Sequence, residues 1–249
     1  MDHHLVAAHT PEAIRRRLEA RPTHSYLRDF VFGAIDGIVT TFAIVAGVAG
    51  AELSSGIVII LGMANLLGDG FSMAVGNFLA TRTERQQKHK ARRMEEEHIA
   101  EIPEGEKEEI RQIFLRKGFT GKDLDRAVEI ITSDERLWVE TMLKEELGMT
   151  LGGPSPVRAG LSTFIAFVLF GFLPLLTFIA AYFYPAGIKD PFLTGSIITG
   201  IAFFAVGALK SRFVDEKWHW SGLETLLVGG TAAALAYSAG YFLKSILTM

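Results

Sequence analysis

The chain has 249 residues, 49% hydrophobic and 21% charged, with a mean hydropathy of +0.27 and a formal net charge of −3. Its charge is segregated into crowded and nearly empty stretches, which is the composition of a membrane protein, and the near-neutral balance lacks the basic footprint of a nucleic-acid partner. With no cysteine in the chain, disulfides, zinc–thiolate sites and iron–sulfur clusters are excluded.

Residues 1–29 are polar and lack the short apolar core of a cleaved signal peptide, so they read as a cytosolic leader. Within it, PEAIRRRLEA predicts an amphipathic helix with Pro11 in its first turn. A spanning helix needs about 20 mostly apolar residues. Five segments qualify: 31–51, 56–81, 159–184, 191–209 and 222–243. The third and fourth carry no charge, whereas the others carry one acidic residue each: Asp36, Asp69 and Glu224.

Of the 25 Lys and Arg residues, 23 fall in 1–30, 82–158 and 210–221, leaving Lys189 and Lys244 for the opposite side. The excess of basic residues marks the cytoplasmic side. The N-terminus is therefore expected in the cytosol and the C-terminus across the membrane. The fold class expected is an all-α membrane protein with five transmembrane helices. Transmembrane helices 1 and 2 occupy 30–84, a cytosolic helical domain 85–153, and helices 3 to 5 the stretch 154–249. The second helix extends into the cytosol, because TRTERQQKHKARRMEEEHIAEI holds no breaker before Pro103. Beyond it, Ile110, Ile113 and Phe114 recur at helical spacing up to a Gly118 cap. The stretch 123–148 repeats the pattern with Leu124, Val128, Ile131, Leu137, Val139, Met142, Leu143 and Leu147, giving a helical hairpin or three-helix unit. At roughly 70 residues such a unit is marginal alone, and a metal or a partner subunit would support it.

An ionisable group inside a span is costly and points to function. No Lys or Arg lies within any span to neutralise Asp36, so a proton or a bound cation must do so. In the second span Asn65, Asp69, Met73 and Asn77 recur every fourth residue, a slowly drifting stripe of amides, a carboxylate and a thioether. Such a donor set suits Mn²⁺ or Fe²⁺ better than Mg²⁺ or Ca²⁺, which prefer oxygen alone. The plainer reading is hydrogen bonding between helices, with Met73 as core filler. Glu224 is read as reaching the membrane interface.

The stretch 95–109 holds eight glutamates. A charge run of this kind is ordinarily a solvated helix face, and the nearby Lys and Arg suit that reading. The spacing nevertheless places Glu95 with His98, Glu106 with Glu109 and Met142 with Glu146 on shared helix faces that could converge on a transition metal.

These motifs together resemble the vacuolar iron transporter family. The likeness is carried by FGAIDGIVTTFAIVAGVAGA, GDGFSMAVGNFLA, EEEHIAEIPEGEKEEI, WVETMLKEELGM and PSPVRAGLSTFIAFVLFGFLPLL, in order over about 30–245. The resemblance implies a homodimer of five-span protomers with an ion path between subunits, exporting Fe²⁺, and often Mn²⁺, from the cytosol in exchange for protons. It assigns the intramembrane aspartate to Asp36 and the pathway methionine to Met73. It assigns the cytosolic metal ligands to Glu95, Glu106, Glu109, Met142 and Glu146. His98 stands where the family commonly has glutamate, and Leu143 where plant members can have a second methionine.

The expected function is thus proton-coupled transport of ferrous iron, with manganese as a further cargo. Metal is captured by Glu95, His98, Glu106, Glu109, Met142 and Glu146 and passed to Asp36 and Met73, with Asp69 and Asn77 along the path. No prosthetic group is expected. The expected partners are the lipid bilayer, the metal ions, protons and a second copy of the chain. The expected location is a bacterial inner membrane, with a vacuolar membrane as the alternative. The rivals are a passive divalent cation channel and a metal-sensing membrane protein without transport. An enzyme is disfavoured: the seven histidines lie outside the spans, no HExxH occurs, and only an Asp36 and Asp69 dyad would remain.

Overall fold

The computed structural model describes residues 8–19, 25–150, 152–184, 187–213 and 215–247, and these contain helices and no strand. Of the histidines, His3, His4 and His24 lie outside the described residues. The helices are α1 (Pro11–Glu19), α2 (Leu27–Gly50), α3 (Ser55–Glu101), α4 (Pro103–Arg116), α5 (Gly121–Thr132), α6 (Glu135–Glu145), α7 (Pro156–Gly171), α8 (Leu173–Phe183), α9 (Pro191–Lys210) and α10 (Trp218–Leu247). The chain divides into two compact units, Tyr26–Gln87 with Pro154–Met249 and a smaller one of Met1–Ser25 with Lys88–Gly153.

In the larger unit α2, α3, α9 and α10 are each long and apolar enough to cross a membrane, and α7 with α8 makes a fifth if the bent pair is one span. The protein is a multi-pass helical membrane protein. The bend, 44°, falls at Gly171 and Phe172. Pro174 has no N–H to continue the α7 ladder, so α8 begins afresh from it. Gly171 is required where it stands, since a Cβ there would lie 2.7 Å from the Gly37 carbonyl of α2.

Packing centres on α2, the most enclosed of the apolar helices, which lies against α7 on one side and α10 on the other. Small residues let the backbones approach, as membrane helices require when lipid removes the hydrophobic drive between them. A Cβ on Gly33 or Gly37 would strike the carbonyls of Thr163 or Phe167, and one on Gly240 would strike that of Gly47. The core is filled by Ile38, Phe42, Val45, Leu66, Phe167, Leu175, Phe203 and Val206. First-span helicity begins at Leu27, four residues before the apolar run at Val31, and so takes in Asp29.

In the smaller unit the last turns of α3 join α4, α5 and α6. Ile110, Leu124, Val128, Ile131, Trp138 and Met142 form one apolar cluster, and Ala91, Val139 and Leu143 a second, with Ile99 packed against both. Gly118 takes the left-handed conformation (φ +93°) that closes α4. The apolar pattern over 123–148 is two helices rather than one. Asp134 leaves helical geometry and its carboxylate accepts the Leu137 N–H at 3.0 Å, starting α6 afresh. Because this break turns the register, Leu137 is exposed rather than in the core.

Candidate functional site

Within the smaller unit α3 supplies Glu95 and His98 one turn apart, and α4 supplies Glu106 in its first turn, just past the Pro103 break. One ligand atom from each of the three residues lies within 4.8 Å of the others. His98 Nδ1 stands 3.3 Å from Glu106 Oε1. Glu95 and Glu106 are each only 2% exposed, and Oε2 of both is buried without a hydrogen-bond partner among the described residues. An unpaired buried carboxylate oxygen costs stability unless a proton or a cation attends it. The donor set of two carboxylates and an imidazole fits a divalent transition metal.

The electrostatics agree. Burial, reinforced by the charges of Glu146, Glu106 and Glu109, pushes the Glu95 carboxyl up to about 7, while His98 acts the other way. Glu106 is raised by burial and by Glu109, and Glu146 by burial and by Glu109. Glu109 and Glu146 are exposed but close enough to act on the buried pair. Met142 of α6 is fully buried among Ile110, Leu124, Val128, Ile131 and Trp138, one turn before Glu146 at the helix's C-terminal cap.

In the larger unit α2 and α3 run antiparallel with their polar residues in register. Asn65 Nδ2 donates to the hydroxyls of Thr40 and Thr41 at 3.2 and 3.4 Å. Thr40 in turn donates to the Asp36 carbonyl at 2.9 Å. Asp69 faces Asp36 closely enough for their charges to interact, though Asp69 is exposed and Asp36 half-buried. Met73 is half-buried against the apolar core. Asn77 Nδ2 donates to Asp29 Oδ1 at 2.9 Å and to Thr163 Oγ1 at 2.8 Å. Both amides of the stripe are therefore engaged between helices. Asp29 escaped sequence reasoning because it lies outside the apolar run. Its signal was its spacing, seven residues before Asp36, which sets both on one face of a helix. Glu224 accepts an ion pair from Lys210 at 2.6 Å, tying the end of α9 to the start of α10.

A multi-pass helical membrane protein with a buried acidic cluster outside its apolar spans and opposed carboxylates within them has the parts of a cation transporter. The VIT family model matches residues 27–241. The chain is 36% identical over 227 residues to the vacuolar iron transporter of Toxoplasma gondii, covering 89% of this chain and 75% of that protein. It is 33% identical over 214 residues to vacuolar iron transporter 1 of Arabidopsis thaliana, covering 85% and 83%, and 31% identical over 225 residues to the vacuolar iron transporter of Plasmodium falciparum, covering 88% and 82%. The chain belongs to the VIT family, whose members are transporters and not enzymes.

Proposed function

We propose that this protein exports Fe²⁺ from the cytosol in exchange for protons, with Mn²⁺ as a second cargo. The observation that carries the reading is the buried pair Glu95 and Glu106 beside His98, with two carboxylate oxygens left without partners. The names of the relatives support iron as the cargo.

The smaller unit lies in the cytosol, on the side of the basic residues, and collects the ion. Glu95, His98 and Glu106 bind it, while Glu109 and Glu146 add negative charge around the site and Met142 stands one turn from Glu146. The path through the membrane uses Asp36 and Met73, with Asp69 opposite Asp36 and Asn77 one turn beyond Met73. A carboxylate half-buried in a span and without a basic partner holds a cation or a proton but not both, and this exclusion couples the two fluxes. The protomer has five spans, α7 and α8 forming the third, and works as a homodimer in a bacterial inner membrane. The polar face of α3, with Asp69 exposed in the protomer, suits a path shared between two copies.

The test is uptake of Fe²⁺ or Mn²⁺ by proteoliposomes with and without an imposed pH gradient. The proposal requires flux that rises with the gradient and is matched by proton movement. Flux indifferent to the gradient would make the protein a passive channel, and metal binding without flux a sensor.

A further inference from the structure

The geometry points to Asp29 as the entrance carboxylate of the translocation path, held in its working orientation by Asn77 and Thr163. The inference rests on the transport reading and adds a residue to it.

Asp29 sits in the first turn of α2, where the positive end of the helix dipole favours a carboxylate. It is half-buried, and among the described residues it makes no ion pair. One of its oxygens accepts the Asn77 amide; the other has no hydrogen bond among the described residues. Asn77 divides its amide N–H groups between Asp29 and Thr163, and its own oxygen accepts from Thr81 at 3.5 Å. The single hydroxyl proton of Thr163 is shared between the Ala159 carbonyl of its own helix at 3.2 Å and the Asp29 carbonyl of α2 at 3.4 Å. Asn77 therefore has little capacity left to bind an ion. Its effect is to fix the plane of the Asp29 carboxylate and leave one oxygen open.

Register supplies the direction. Asp29 and Asp36 are two turns apart on one face of α2, about 10 Å along the axis. On α3 the opposed residues run in reverse: Asn77 against Asp29, Asp69 against Asp36, Asn65 against Thr40. Met73 falls midway between Asn77 and Asp69 in sequence. An ion arriving at the N-terminal end of α2 meets Asp29 before Met73 and Asp36. Successive carboxylates spaced this way offer a divalent cation a second weak site, which favours leaving as well as entering.

The rival is a clamp with no contact to the ion. Asp29→Asn separates the two, because the amide oxygen still accepts from Asn77 while the charge is gone. With Fe²⁺ kept reduced in proteoliposomes, Asp29→Asn is expected to raise KM about tenfold, the scale of losing one charged contact, with kcat little changed. Asp29→Glu is expected to restore most of the affinity. Thr163→Val removes one leg of the clamp without touching a carboxylate and is expected to raise KM only about twofold, because Asn77 still holds the Asp29 carboxylate. An unchanged KM in Asp29→Asn overturns the inference, as does an equal rise in Thr163→Val. Absence of flux from the unmodified protein defeats the transport reading itself, and this inference with it.

Discussion

Glu95 is held up to about pH 7 first by burial and then by its acidic neighbours, and its own charge state decides what the cluster binds. Below that pH the carboxyl is protonated and must release a proton to accept a metal. Mn²⁺ binding to the full-length protein in detergent, followed by calorimetry, is therefore expected to weaken as the pH falls from 8 to 6, with proton release per ion small at 8 and rising as the pH falls through about 7. The same shift sets the stability of the metal-free state. A carboxyl whose folded pKa is raised from 4.5 favours the fold while it is neutral, and that gain fades as the pH rises through about 7. The metal-free smaller unit is expected to melt at a lower temperature at pH 8 than at pH 6, and saturating Mn²⁺ should remove the difference. Paired replacement Glu106→Ala and Glu109→Ala removes one buried and one exposed carboxylate, and the calorimetric signal should largely disappear. In the spans, Asp36→Ala is expected to abolish metal-dependent proton flux in liposomes; normal coupled flux from that variant would sink the exchange mechanism.

At the scale of elements, backbone contacts set what can change. A Cβ on Gly37 meets the Phe167 carbonyl of α7, which cannot rotate away, so Gly37→Ala is expected to cost about 1–3 kcal/mol through forced separation of α2 and α7. Thermal unfolding in detergent would register this. Gly230→Ala serves as the comparison, because a Cβ there meets nothing within 4 Å, and it should be neutral or slightly stabilising. In the smaller unit Asp134→Ala removes the side chain that accepts the Leu137 N–H and should cost about 0.5–2 kcal/mol. That cap was legible in the run TSDE, but an unbroken apolar pattern on both sides concealed it. The α7 and α8 bend was likewise written in Gly171 and Pro174, yet hydropathy runs smoothly through both residues and carries no mark of a kink.

On the scale of the whole molecule, segregation of charge separates two environments along one chain. The long α3 contributes to both units, because no Gly or Pro interrupts the passage from apolar to charged sequence at Ala80 and Thr81. A transport cycle built on this plan should respond to a proton gradient as a whole, and flux measured against imposed pH differences is the experiment that weighs it. What the sequence by itself determined was helicity, the apolar segments, the family and the pairing of Glu95 with His98 on one helix face, since all of these depend on local spacing. Only the tertiary structure decided that Glu106 closes on that pair while Met142 turns into the core, that Asn65 and Asn77 spend their amides between helices, and that Asp29 joins the polar ladder. Spacing along a helix says which side chains share a face. Which face meets which depends on backbone approach at Gly33, Gly37 and Gly171, and that is settled only when α2, α3 and α7 pack together.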